Sequence, residues 1–155
     1  MYEHKHVLVA VDGSADSEAV LTFLLGIAGP LDMRVTLLRV LEPVVPDVIE
    51  GSRHVVVEDV EARRTDAEEY LAALAADLRS RGVETRCRVG RGKPAEEILA
   101  AARAEGVDFI AMATHGRSGV RRLLFGSVAE TVLRHADVPV FLIRQPAMVG
   151  TTEGR

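Results

Sequence analysis

The residues most able to do chemistry lie in one segment, from residue 113 to residue 127. Glycines occur there at Gly116, Gly119 and Gly126, and Ser127 opens a predicted helix. Glycine lets the backbone approach an anion closely, and the first N–H groups of a helix carry a partial positive charge without an internal partner. The segment therefore predicts a site for phosphate groups.

Three arginines in the same segment, Arg117, Arg121 and Arg122, add positive charge to a chain whose formal net charge is −4. A guanidinium matches phosphate oxygens with its fork of N–H donors. The attraction is expected to be local, because the overall charge favours neither nucleic acid nor an anionic membrane. His115, beside Gly116, is placed where it could touch a ligand.

The same residues have structural interpretations that the sequence leaves open. The glycines are common turn residues, and the arginines could form a solvated loop surface. Ser127 and Glu130 have the spacing of a capping box, in which the serine hydroxyl accepts a backbone N–H from the residue three positions later. Asp12, after the first apolar run, could face a ligand or simply initiate a helix.

The hydrophobic pattern predicts the elements that position this segment. Short apolar or alternating runs predict strands at 7–11, 35–41, 83–89, 109–113 and 138–143. Helical periodicity and end signals predict that the intervening helices begin at Ser14, after residue 57, at Pro94 and at Ser127.

Strands that alternate with helices predict an α/β protein: a doubly wound, five-stranded parallel sheet of strand order 3-2-1-4-5 with helices on both faces. In such a sheet, ligands bind beyond the carboxyl ends of strands one and four. Asp12 follows the first strand and Ala113 ends the fourth. The phosphate-binding segment therefore begins at the expected position.

Composition indicates one soluble globular domain, because the chain has 155 residues of which 48% are hydrophobic and 27% charged. We assign the domain to residues 1–145 and expect residues 146–155 to form a flexible tail. The single Cys87, with no evident leader or membrane span, predicts a cytoplasmic location. Aromatic residues make up only 4%, which argues against single-stranded nucleic acid as a partner.

Other signatures are weak or absent. Residues 90–95 match the G-x-G-x-x-A dinucleotide fingerprint, but they follow the third strand, away from the expected ligand position. The five histidines lack the spacing of a zinc site. No general base is identifiable beside the phosphate segment, so the sequence favours binding over efficient turnover.

The chain resembles the universal stress protein family. The nucleotide loop of that family reads Gly, two residues, Gly, nine residues, then Gly with Ser or Thr, and Gly116, residues 117–125 and Gly126-Ser127 match it here, with Ala113 at the first glycine. The resemblance covers most of residues 5–143 and takes in three flanking stretches: 7–14, 92–98 and 138–140.

This resemblance implies an adenine nucleotide alpha hydrolase-like fold that binds ATP, with Mg²⁺ or Mn²⁺. By position it implies adenine beside Val40 and Met112, and a polar part of the nucleotide near Asp12. Phosphates are expected on the backbone of Gly116, Gly126, Ser127 and Val128. Ala113, His115, Arg117 and Gly119 complete the candidate site, and alanine at 113 would weaken binding if that position needed a positive φ.

The resemblance also implies a stress-response module whose nucleotide occupancy orders residues 116–126 and so modulates binding of a protein partner. Two alternatives stay open: a nucleotide-free interaction protein of the same fold, and a slow ATPase or nucleotidyl transferase. In the favoured interpretation the protein is not an efficient enzyme.

The last predicted strand, 138–143, is apolar on both faces although the strand order places it at an edge of the sheet. Exposed edges of this kind invite pairing. We therefore expect a homodimer in which two copies of this strand meet, as in many members of the family. The alternative is that the tail or a helix covers the edge.

Overall fold

Strands and helices alternate along the chain. The computed structural model describes residues 6–28, 32–43, 53–114 and 126–144. The strands are β1 (His6–Ala10), β2 (Arg34–Leu41), β3 (Thr85–Arg91), β4 (Phe109–Thr114) and β5 (Val140–Arg144). The helices are α1 (Ala15–Ala28), α2 (Arg53–Ser80), α3 (Pro94–Glu105) and α4 (Ser127–His135).

The five strands form one parallel sheet in the order β3-β2-β1-β4-β5, which confirms the predicted fold class and strand order. Val9 of β1 pairs with Leu37 of β2 on one side and with Ala111 of β4 on the other. Because β1 and β4 are parallel neighbours, their carboxyl ends open at the same edge of the sheet.

Each face of the sheet is covered by two helices, which explains the continuous apolar runs of the central strands. Val7 and Val9 pack against α1 and α2, whereas Leu8 between them packs against α3 and α4. Successive side chains of a strand point to opposite faces, so a strand buried on both faces must be apolar at every position.

Three helix ends form as the sequence predicts. The Ser14 hydroxyl caps α1 by accepting the Ser17 N–H at 3.1 Å. Pro94 opens α3 at a position where its missing N–H costs nothing, and Gly106 ends that helix in the left-handed conformation, with φ of +60°.

Several predicted boundaries are wrong. β5 begins at Val140 instead of residue 138, and two further differences have separate reasons. Helix α2 begins at Arg53, although the sequence predicts a start after residue 57. The prediction misses the first turn because valines, which have a low helix propensity, occur near the start of the helix. Strand β3 begins at Thr85 instead of residue 83. The N–H of Val83 donates to the Leu78 carbonyl, so that residue closes the end of α2 and does not join the sheet.

Helix α4 differs from the prediction in two details. Its N-cap residue is Gly126, which has no side chain to cap with, and the Glu130 N–H donates to the Gly126 carbonyl at 3.0 Å. The capping-box interpretation is therefore wrong, because Ser127 is already helical. The helical spacing of Val128, Val132 and Leu133 predicts that all three face the core, but Leu133 is 41% exposed, whereas Ala129 is buried.

Predictions for residues 115–125 and for the tail 146–155 lie outside the described residues. Within the described ranges, none of the helices combines the length and the apolar character that crossing a membrane requires.

Candidate functional site

A cleft of about 490 Å³ opens at the carboxyl ends of β1 and β4. This volume falls in the range of small-molecule sites, and the position is the one predicted from the strand order. Every predicted site residue that the structure describes lines the cleft: Asp12, Val40, Met112, Ala113, Gly126, Ser127 and Val128. The remaining candidates, His115, Gly116, Arg117 and Gly119, lie outside the described residues, as do Arg121 and Arg122.

One wall of the cleft is apolar. Val40 and Met112 belong to the side of the sheet that packs against α3 and α4. Leu38, Pro94 and Ile98 extend this wall toward the start of α3. A surface of this kind accepts a flat apolar ring, and the polar groups that would orient it lie on the other walls.

Asp12 lies in a hydrogen-bonded turn between β1 and α1. Its Oδ1 atom accepts the Ser14 N–H at 2.9 Å, while its own N–H donates to Ser17 Oγ at 3.1 Å. Gly13 makes the turn with φ of +88°. The carboxylate therefore holds the turn that leads into α1, and the residue also lines the cleft.

Arg39 of β2 also lines the cleft, on the face of the sheet that packs against α1 and α2. Its guanidinium carbon lies 5.0 Å from the centre of the Tyr70 ring, a cation–π contact. The Tyr70 hydroxyl donates to Glu18 Oε1 at 2.7 Å. Burial and the Glu18 carboxylate raise the pKa of Tyr70, so the phenol keeps its proton and its role as a donor.

Further polar residues of the cleft were not predicted. Arg39 had a signal, because it is a lone charge in the apolar run of β2. Ser17 is buried beneath Asp12, and its only signal was its place in the first turn of a helix. Arg63 of α2 donates to the Glu42 carbonyl at 3.1 Å, and nothing distinguishes it among the many charges of that helix. Glu42 and Thr114 complete this set.

The first turn of α4 forms another wall of the cleft. Gly126 precedes the helix in an extended conformation, with φ of −63° and ψ of 160°, and no side chain of the described residues caps the N–H groups at the helix start. Those N–H groups have no partner within the helix and carry a partial positive charge. The wall formed by Gly126, Ser127 and Val128 can thus hold an anionic group.

Ala113 occupies its place without backbone strain. It lies within β4, paired with Ile143. Among the described residues other than glycine, only Asp32 has a positive φ. An alanine therefore satisfies the backbone conformation at this position.

The dinucleotide fingerprint at residues 90–95 has another purpose. A Cβ atom added to Gly92 would stand 3.0 Å from Glu97 Oε1, and one added to Gly90 would stand 3.1 Å from Oε2. Both glycines make room for this carboxylate, which belongs to α3. Gly90 lies at the end of β3 and Gly92 directly after it. Neither glycine lines the cleft between β1 and β4, although Pro94 of the same stretch does.

The described part of the chain holds no group of three or more His, Cys, Asp or Glu side chains that could bind a metal ion. A cation in this cleft would therefore need oxygen ligands from a bound molecule in addition to those of the protein.

Residues 3–144 match the model of the universal stress protein family. The chain belongs to this family. A universal stress protein of Methanocaldococcus jannaschii is 30% identical over 145 residues, which cover 92% of this chain and 84% of the relative. The crystal structure of a universal stress protein family member from Burkholderia pseudomallei is 28% identical and superposes with a TM-score of 0.72, covering 92% of this chain and 98% of the other.

Two more distant structures of the family contain nucleotides. A universal stress protein family protein from Arabidopsis thaliana with AMP bound is 21% identical, with a TM-score of 0.66 over 92% of this chain and 93% of the other. A universal stress protein in complex with cAMP is 17% identical, with a TM-score of 0.61 over 92% and 98% of the two chains. At these identities the likeness establishes the shared fold.

Proposed function

We propose that this universal stress protein binds ATP, together with Mg²⁺ or Mn²⁺, in the cleft between β1 and β4, and that occupancy modulates its binding to a protein partner. One observation supports this most directly. The same cleft joins an apolar wall at Val40 and Met112 to an uncapped helix start at Gly126. An adenine ring and a phosphate chain have these two complementary chemistries.

The nucleotides in the two distant relatives support the adenine class. The AMP and the cAMP of those structures share the base and ribose of ATP. Asp12 would take part in holding the cation, because magnesium in nucleotide sites commonly combines one or two carboxylates with phosphate oxygens. The sequence offers no catalytic base at the phosphates, so we propose a sensor of nucleotide, with hydrolysis slow if it occurs.

Calorimetric titration of the protein with Mg-ATP tests this proposal, with adenosine and GTP for comparison. We expect saturable binding of ATP below millimolar concentration. Absence of binding at millimolar ATP would contradict the proposal and favour a nucleotide-free interaction protein. Mass spectrometry of what co-purifies with the gently isolated protein separates the same two functions independently.

A Gly126→Asp variant locates the site. No atom of the described residues lies within 4 Å of a Cβ atom added at Gly126, and its φ suits any residue, so the variant is expected to fold. Aspartate is a favourable N-cap that adds stability, while its charge repels phosphate. We therefore expect ATP affinity to fall at least about tenfold with the free energy of unfolding unchanged or raised. Ala72→Asp, at an exposed position of α2, is the matched control.

We also propose that two copies of the chain pair along β5, in the cytoplasm. β5 is an edge strand of the sheet. Its Phe141 is 40% exposed and stacks on Phe23 of α1, which is 48% exposed, with ring centres 5.2 Å apart. An apolar edge beside two exposed rings suits a partner surface.

A further inference from the structure

Thr114, the last residue of β4, carries a buried hydroxyl that the described structure leaves without a partner. The residue is 3% exposed, and no hydrogen bond to its Oγ1 atom is found among the described residues. Native proteins pair the large majority of their buried polar atoms, and an unpaired one costs stability. This hydroxyl is therefore a group that needs an explanation.

The position of Thr114 points to the ligand. The residue lines the cleft. In β4, Met112 faces α3 and α4 and Ala113 faces α1 and α2, so alternation returns Thr114 to the side of α4. The first turn of that helix lines the same cleft at Gly126, Ser127 and Val128. A rotation about χ1 between staggered positions can turn the hydroxyl toward a ligand without a change in the backbone.

We propose that the Thr114 hydroxyl donates a hydrogen bond to a phosphate oxygen of the bound nucleotide and thereby selects phosphorylated ligands over the bare nucleoside. This inference rests on the proposed function. The helix start supplies backbone N–H donors to the anion, and the hydroxyl adds a side-chain donor from the neighbouring strand. A hydrogen bond to an ionised oxygen is stronger than one between neutral groups, so the contact discriminates by charge.

A pair of variants tests the proposal: Thr114→Val, which keeps the shape and removes the hydroxyl, and Thr114→Ser, which keeps the hydroxyl. Affinities for Mg-ATP and for adenosine are measured by calorimetry or by displacement, and stability of the unliganded protein by urea unfolding. We expect Thr114→Val to lower ATP affinity about tenfold or more and to leave adenosine affinity within about twofold. Thr114→Ser should restore most of the ATP affinity.

The stability measurement separates a ligand contact from a structural role. Because the hydroxyl has no described partner, Thr114→Val should leave the unliganded protein as stable as the wild type, or more stable. Equal ATP affinity in wild type and Thr114→Val would overturn the proposal. So would a less stable valine variant in which the affinities for ATP and adenosine fall together. If the wild type binds no adenine nucleotide at all, the proposed function itself fails.

Discussion

His6, at the start of β1, is a buried histidine at the end of the sheet opposite to the cleft. The residue is 6% exposed, and its Nε2 atom lies 2.8 Å from Thr36 Oγ1. Burial is the main cause that lowers the pKa of His6 below 6.5. The charged groups around it act in both directions: Arg34 and Arg86 lower the pKa, while Glu105 and Asp108 raise it.

This lowered pKa predicts that acid destabilises the fold through His6. Below about pH 6.5 the unfolded chain takes up a proton that the folded chain resists, so the stabilisation present at higher pH is lost as the pH falls. Urea unfolding at about pH 7.5 and about pH 5.5 measures the effect. Between these two pH values, the free energy of unfolding should fall more for the wild type than for His6→Asn, by at most about 1.4 kcal/mol per pH unit.

For each protein, the quantity to compare is the change in the free energy of unfolding between the two pH values, because removal of the imidazole ring changes stability at every pH. His135→Asn removes a histidine from the exposed face of α4 and serves as the comparison. An equal loss in the wild type and in His6→Asn would show that other groups govern the acid response.

The loop pattern and the family resemblance predicted much of the lining of the cleft but missed several of its polar side chains. The resemblance placed Asp12, Val40 and Met112, and the cleft contains all three. The contact of Arg39 with Tyr70 joins two elements that are far apart in sequence, so no local pattern reveals it. Thr114 likewise stands out only when its lack of a hydrogen-bond partner is known.

At the level of elements, glycines in similar sequence settings have opposite structural demands. Gly92 has φ of +149° and lies against the Glu97 carboxylate. Gly26 lies in α1, and no atom of the described residues lies within 4 Å of where its Cβ would stand. The first position requires glycine, and the second tolerates a better helix former.

We therefore expect Gly92→Ala to lower the free energy of unfolding by about 1–3 kcal/mol and Gly26→Ala to raise it by about 0.5–1 kcal/mol. Urea unfolding of both variants measures the contrast. Neither residue lines the cleft, so ATP affinity should stay at the wild-type value in both. A selective loss of ATP binding in a folded Gly92→Ala protein would instead support the dinucleotide fingerprint.

Element types were predictable because their signals are local, whereas some boundaries depend on contacts made elsewhere. Pro94 and Gly106 mark the two ends of α3 in the sequence itself. Val83 looks like a strand residue, and only its hydrogen bond to Leu78 shows that it ends α2. Leu133 has the right spacing to be buried, but it is partly exposed in the folded chain, and its spacing alone does not reveal this.

At the level of the whole molecule, the alternation of strands and helices predicted the strand order, and the burial patterns of most strands agree with it. β1, β2 and β4 contain continuous apolar runs, which require neighbours on both sides and helices on both faces. β3 alternates, as an edge strand can. β5 combines an edge position with apolar residues, and this conflict between place and composition motivates the proposed dimer.

The dimer makes a direct prediction for Phe141→Lys. A charge placed among the exposed rings of this edge should prevent pairing, because a buried unpaired ammonium is costly. Light scattering after size-exclusion chromatography should give twice the chain mass for the wild type and one chain mass for the variant. Ala72→Lys adds the same charge on the exposed surface of α2 and should remain dimeric. A monomeric wild type at micromolar concentration would contradict the dimer.

The contact between Arg39 and Tyr70 has a practical consequence. The chain contains two tyrosines and no tryptophan, so its ultraviolet emission comes from two phenols. One of them, Tyr70, is stacked under a cation that borders the ligand space and is hydrogen-bonded to the Glu18 carboxylate. A molecule that displaces Arg39 changes the surroundings of this ring. We expect the unlabelled protein to report its own occupancy by fluorescence, with no dye attached.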